Sequence, residues 1–221
     1  MPRDRFTHVE TWVFDLDNTL YPPAVRLFDQ VEARMRAFIA DALGVDAAEA
    51  ARLRDHYWRC YGTTLAGLMR EHGLAPEPFL EHVHDIDLAA IAPSPALAAA
   101  IGRLPGRKIV HTNGSRTHAR RVTAALGLGE AFDALYAIED AGFVPKPEAA
   151  AFAAVFGAAG LAPARAAMFE DDPRNLAVPH GLGMRTVLVG PGTPAGTPAG
   201  APAAHIEHQT DDLTGFLSRV V

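Results

Sequence analysis

Apolar and polar positions follow two different regimes along this chain. Residues 9–14 form an apolar run, with Glu10 and Thr11 inside it, that reads as a strand. Tyr21-Pro22-Pro23 breaks that run. The period then turns helical. Leu27, Phe28, Val31, Met35, Phe38, Ile39 and Ala42 share one face, and Gly44 stops the helix. Asp46, with Glu49 three residues later, has the form of a capping box that opens a second helix through Tyr57 and Trp58. Residues 64–72, ended by Gly73, and residues 78–84 predict a third helix and a short fourth. Residues 20–90 are thus helical, with no clear strand.

From Ser94 onward, short apolar runs alternate with helical patterns. Ser94-Pro95 starts a helix that ends near Gly102. Strands are predicted over 108–111, 134–138, 166–169 and 185–189. The helices between and after them cover 115–126 (stopped by Gly127), 147–159 and 173–180. Residues 205–207 read as a last edge strand and 211–219 as a closing helix. This alternation predicts a parallel α/β sheet, in which ligands bind at the carboxyl ends of the strands. Residues 191–204 (PGTPAGTPAGAPAA) are a low-complexity tract that cannot build a core and reads as a flexible loop.

Composition narrows the classes of partner. The 221 residues suffice for one sizeable core with or without a small second domain, and 49% of them are hydrophobic. A formal net charge of −6 provides no global basic field for nucleic acid. Cys60 is the only cysteine, so no intramolecular disulfide can form. The polar start of the chain, with no long apolar segment behind it, predicts neither a signal peptide nor a membrane span, and a cytoplasmic protein is the default expectation.

Chemistry-bearing residues collect where the predicted strands end. Asp15 and Asp17 follow the first strand two positions apart, a spacing that in extended chain points both side chains one way. Two such carboxylates repel by about 4 kcal/mol at about 4 Å in an effective dielectric near 20, which a cation or a shared proton would relieve. Thr112-Asn113-Gly114 follows the second strand and opens a helix, whose free N–H groups suit an anion. Lys146 stands between two prolines at another helix start, and Glu170-Asp171-Asp172 follows a later strand. Alone, each is ordinary: a loop, a turn and N-cap, a surface lysine, an acidic helix start. Together, acids, a hydroxyl with amides and one lysine make a set that a divalent cation and a phosphate would balance in charge.

The order Asp15-x-Asp17, Thr112, Lys146, acidic cluster resembles the four motifs of the haloacid dehalogenase superfamily, over about residues 9–190. The longer string Asp15-Leu16-Asp17-Asn18-Thr19-Leu20-Tyr21-Pro22 resembles the pyrimidine 5′-nucleotidase-like branch. The resemblance implies a Rossmann-like α/β core from residues 1–19 and 91–221, with residues 20–90 inserted as an all-helical cap. It implies Asp15 as a nucleophile that forms an aspartyl-phosphate. Asp17 would be the acid and base at the leaving oxygen and water, and would also give the metal its backbone carbonyl. Thr112 and the Asn113 amide would hold phosphate, and Lys146 would neutralise both the nucleophile and the phosphate oxygens. Mg²⁺ would be held by Asp15, Asp17, Asp171 and Asp172, with Asp171 as the direct ligand. Glu170 falls where relatives often carry a small residue. An acid at position 17 favours phosphoester over halide chemistry, because an alkoxide leaves poorly without a proton donor.

The implied ligand is a small phosphorylated metabolite, a pyrimidine nucleoside 5′-monophosphate first. A sugar-phosphate or phosphoglycolate phosphatase, a phosphomutase and a non-catalytic binding protein on the same scaffold remain open alternatives. Tyr21, Tyr57, Tyr61, Thr63, Thr64 and His84 are candidate base or sugar contacts, with the 61–64 run foremost. His82 and His84 alternate like a metal pair but lack further ligands at zinc spacing.

Overall fold

A computed structural model describes residues 2–190 and 204–220. In chain order it holds α1 (Pro2–Phe6), β1 (Thr11–Phe14), α2 (Leu27–Leu43), α3 (Ala47–Tyr61), α4 (Thr64–His72), α5 (Pro76–His84), α6 (Pro95–Gly102), β2 (Arg107–His111), α7 (Arg116–Ala125), β3 (Ala134–Tyr136), α8 (Ala149–Ala159), β4 (Ala166–Glu170), α9 (Ala177–Gly181), β5 (Arg185–Val189), β6 (His208–Thr210) and α10 (Leu213–Val220). The six strands form one parallel sheet in the order β3-β2-β1-β4-β5-β6, the expected Rossmann-like α/β class. The chain leaves β1 for β2 and β3 on one side, then crosses back to β4, β5 and β6 on the other. That reversal makes the carboxyl ends flanking β1 the natural crevice for a ligand.

The inner strands are buried on both faces, and their side chains divide by alternation. Trp12, Phe14, Val110, Phe169 and Val187 enter one apolar cluster with α6, α7 and α10. Val13, Ile109, Met168 and Leu188 enter the opposite cluster with Phe152, Val155 and Phe156 of α8. This is the period-two geometry of a strand covered by helices on both sides. Phe14 stacks on Phe169 at 4.8 Å across the β1–β4 pair, at the carboxyl ends of both strands.

Helices α2 to α5 fall between β1 and β2 in sequence and pack on one another. Their ends match local sequence chemistry. Asp46 accepts the Glu49 N–H at 2.9 Å, although the Glu49 carboxylate pairs with Arg52 instead of closing the capping box. Gly44 and Gly73 end their helices in the left-handed region, where a missing Cβ removes the steric cost.

Several boundaries differ from expectation. The first strand begins at Thr11 rather than at residue 9. Ser94 makes no side-chain cap bond. The 173–180 helix is a 3₁₀ turn, Pro173–Leu176, followed by the short α9. The last edge strand is His208–Thr210 rather than 205–207: its register on β5 pairs Val187 with His208, while Glu207 holds Arg185 at 2.7 Å. The low-complexity tract falls outside the described residues except for Ala204. No helix among the described residues is long and apolar enough to cross a membrane.

Candidate active site

Asp15 is the first residue beyond β1, and its N–H still donates to Phe169 O at 2.9 Å, so the β1–β4 ladder fixes its backbone. The chain then turns sharply. Asn18 adopts φ 61°, a left-handed conformation that asparagine tolerates better than most residues, and the turn sets Asp17 on the same rim. The two acids diverge from there. Asp15 Oδ1 accepts from Lys146 Nζ at 2.7 Å and its Oδ2 accepts from Thr19 at 3.1 Å. Asp17 Oδ1 accepts from Tyr21 at 2.6 Å and lies 2.8 Å from His118 Nε2.

Lys146 is 1% exposed and uses all three of its protons, donating to Asp15, to His111 O at 2.8 Å and to Glu170 Oε2 at 2.7 Å. Asn113 clamps the lysine's backbone reciprocally, donating to Lys146 O at 3.1 Å and accepting from Lys146 N at 2.8 Å. Glu170 is equally buried and also accepts the N–H groups of Asp171 and Asp172. Carboxylate oxygens of Asp15, Glu170 and Asp171 lie within 4.8 Å of one another. Only one ammonium reaches this group, so the acids cannot all ionise easily. Burial and then Glu170 push Asp15 up to about 7. Burial, Glu170 and Asp15 push Asp171 up to about 10.

Burial opposes ionisation of Asp17 too. There, however, the charge and hydrogen bond of His118, helped by the Tyr21 hydroxyl, win and hold the carboxyl down at about 2. Burial, and then His118, push His84 down to about 3. Two acids two residues apart therefore sit in opposite protonation environments.

A cavity of about 460 Å³ joins the strand ends to the inner faces of α2, α3 and α5. Asp15, Asp17, Thr112, Asn113, Lys146, Asp171 and Asp172 line it from the sheet, and Thr63, Thr64 and His84 line it from the helical block. Thr112 Oγ1 accepts from Gly114 N at 2.9 Å, which shapes the turn before α7.

Other expected residues are placed elsewhere. Tyr61 does not line the cavity; its hydroxyl donates to Glu71 at 2.8 Å and Arg70 lies over its ring. Tyr57 is core, bonded to His72 at 2.6 Å. Tyr21 serves Asp17 from behind the cavity. The Asp172 carboxylate is held by Arg174 at 2.6 Å and stands outside the three-carboxylate group. His82 packs against Phe38, away from any metal-ligand group among the described residues.

Four residues that the sequence pattern left unassigned matter here: His118, Glu170 as partner of Lys146, and the pair Trp58–Arg174, with the guanidinium 3.9 Å from the ring centre. His118 had one local signal, since it follows the Ser115 cap by three residues and so lies in the first turn of a helix that starts at the site.

A family model for haloacid dehalogenase-like hydrolases matches residues 9–182. Phosphate metabolism protein 8 of Saccharomyces cerevisiae is 26% identical over 198 residues, which cover 81% of this chain and 61% of that protein. The chain thus spans less than two thirds of that relative's length. A 2-haloacid dehalogenase from Pseudomonas syringae superposes with a TM-score of 0.58 at 21% identity, covering 96% of this chain and 100% of the other. A HAD phosphatase from Thermococcus onnurineus gives 0.57 at 16% identity, covering 91% and 93%. At these identities the structural likeness is one of fold.

Proposed function

The chain belongs to the haloacid dehalogenase-like hydrolase family, and on that premise we propose that it is a Mg²⁺-dependent phosphomonoester hydrolase with Asp15 as nucleophile. The observation that carries this proposal is the acid at position 17, held by His118 and Tyr21 beside the nucleophile. A halide needs no proton on departure, whereas an alkoxide leaves about 10²–10⁴-fold faster with one.

The donor set fits a hard divalent cation. Asp15, Glu170 and Asp171 offer clustered oxygens, and burial, then the crowding of these acids, raises Asp15 and Asp171. Asp15 and Asp171 would hold the ion with the Asp17 backbone carbonyl, and Asp172 would support it. When bound, the ion neutralises phosphate charge and orients the ester.

Asp15 attacks phosphorus; the new Asp15–phosphorus bond forms as the ester's phosphorus–oxygen bond breaks, and the electron pair leaves on the alkoxide oxygen. Asp17 gives that oxygen its proton. An incoming phosphate supplies the negative charge that favours a protonated Asp17 for this step. Asp17, again ionised, then takes a proton from the water that releases phosphate from Asp15. Lys146 holds the Asp15 carboxylate in place, and Thr112 with the Asn113 amide binds phosphate oxygens. Residues 20–90 act as the cap that excludes water above the site.

The substrate is a nucleoside 5′-monophosphate, pyrimidine before purine. Support comes from the resemblance over Asp15–Pro22 and from a cavity of about 460 Å³ with one apolar wall. Phosphate release with Mg²⁺ over UMP, CMP, purine nucleotides, sugar phosphates, phosphoglycolate and a 2-haloacid tests each layer. A flat profile removes the nucleotide assignment. Halide release without phosphate release removes the phosphatase, and full turnover by Asp15→Asn removes the nucleophile.

A further inference from the structure

The first helix after the Thr112-Asn113-Gly114 turn carries a buried imidazole with an unusual set of neighbours. His118 is 1% exposed, and its Nε2 lies 2.8 Å from Asp17 Oδ1. The Tyr21 hydroxyl reaches the same oxygen at 2.6 Å. Both donors converge on Oδ1, and among the described residues Oδ2 makes no hydrogen bond, although Asp17 lines the cavity. One oxygen is therefore anchored and the other left for substrate.

His118 is itself held from two directions. Ser115 Oγ accepts its N–H at 3.2 Å and lies 3.0 Å from His84 Nδ1. The His84 ring stacks on the His118 ring at 4.3 Å and 20°. His84 ends α5, and Arg121 ties that end to α7 by donating to His84 O at 2.7 Å and Ile86 O at 2.8 Å. Gly114 keeps the space clear: a Cβ there would lie 3.1 Å from His118 Cδ2 and 3.6 Å from Asp17 Oδ2. A residue that merely filled volume here would be apolar. Instead His118 Nδ1 is buried without a partner, a desolvation cost that the bond of Nε2 to Asp17 offsets.

We infer that His118, braced by the stacked ring of His84, is a positioning residue that fixes Asp17 with one oxygen anchored and the other presented to the leaving group. It rests on the role proposed for Asp17, and it makes the seating of α5 on α7 part of the site's assembly. A residue that orients the proton donor matters in proportion to how badly the leaving group needs a proton. p-Nitrophenolate leaves almost unaided; an alkoxide does not.

The test is steady-state kinetics of wild type, His118→Ala and His118→Gln on p-nitrophenyl phosphate and on the alkyl phosphate that the wild type turns over fastest. The comparison is made in kcat/KM, which ends at departure of the alcohol and leaves out the water step that both esters share. His118→Ala should lower kcat/KM on the alkyl ester about 10²-fold and on the aryl ester less than about tenfold. His118→Gln keeps an N–H donor and should recover at least about tenfold of the alkyl-ester loss. Equal losses of kcat/KM on both esters, or no recovery by glutamine, would overturn the positioning role. A melting curve of each variant separates those results from loss of folded protein. Should His118→Ala not fold, the comparison of His118→Gln with His118→Leu decides in the same terms. If the wild type hydrolyses neither ester, the phosphatase proposal itself fails and this role falls with it.

Discussion

Lys146 and Glu170 meet at 2.7 Å with each side chain only 1% exposed, and the same ammonium reaches Asp15 at 2.7 Å. One cation therefore serves two buried carboxylates. Removing it would leave both without their charge partner at largely buried positions. Lys146→Met should cost about 3–5 kcal/mol, the range for breaking a buried pair from one side. Lys146→Met with Glu170→Gln should recover part of that loss. Urea unfolding of the three proteins checks this; a single variant as stable as wild type would show that the pair carries no such load.

The acids predict how metal-free stability depends on pH. Asp15 at about 7 and Asp171 at about 10 both lie above the ordinary 3.8, so the folded chain binds more protons than the unfolded one across that span. Their contribution is complete below about pH 4 and is lost as pH rises, through about 7 for Asp15 and about 10 for Asp171. Asp17, lowered to about 2, runs the other way: its contribution is present above 3.8 and lost as pH falls through about 2. Between pH 5 and 8 the Asp15→Asn variant should therefore show a flatter decline in melting temperature than wild type. Added Mg²⁺ should stabilise wild type more at pH 8 than at pH 5, since the ion competes with those protons. An identical slope for variant and wild type would contradict the Asp15 assignment.

Local signals made most of the core legible. β5 matches its expected limits, and Asp46 caps α3 as its spacing predicts. Period-two burial and helix punctuation are properties of neighbours in sequence, and they survive folding. What the sequence hid depends on contacts far apart along the chain. Lys146 finds Glu170 across 24 residues and Asp15 across 131, and nothing at position 170 announces a lysine partner. His118 reaches Asp17 across 101 residues. α1 has only five residues and no propensity signal; Phe6 secures it by stacking with Trp12 at 5.9 Å and meeting Phe216 edge-on at 5.8 Å. The acidic run after β4 could be placed at the site, but the division of labour within it could not: Glu170 turns in to Lys146, 24 residues away, while Asp172 is taken by Arg174 only two residues on.

Gly62 ends α3 at φ 82° and faces the loop that carries the lysine. A Cβ there would lie 3.2 Å from Pro147 Cδ and 3.4 Å from Lys146 O. Gly62→Ala thus combines a positive φ that L side chains rarely adopt with a tight approach between the helical block and the sheet's loop, and should cost about 1–3 kcal/mol from the backbone alone. Part of that strain should be relieved by lifting α3 off the loop, so kcat should fall and Trp58 fluorescence should change as its ring leaves Arg174. Wild-type kcat together with an unshifted emission maximum would show that the contact does not seat the helices.

Two tyrosines that the sequence offered together as substrate contacts part company in the structure, and their phenylalanine variants should differ accordingly. Tyr61 bonds Glu71 on the outer side of α3 and α4, so Tyr61→Phe should leave kcat and KM within about twofold of wild type, as for a surface substitution away from the site. Tyr21 donates to Asp17 Oδ1 at 2.6 Å, a bond to a charged group worth about 1.5–3 kcal/mol. That bond helps to hold Asp17 at about 2, after the larger effect of His118. Without it Asp17 keeps its proton to higher pH, so the titration of Asp17, followed by its carboxyl carbon shift, should move up by on the order of one unit from about 2. Tyr61→Phe should leave that titration where it is in wild type. If both variants titrate alike, Tyr21 is not an Asp17 ligand in solution. A titration that moves down for Tyr21→Phe would mean that the hydroxyl raises the acid's proton affinity, opposite in sign to the geometry seen here.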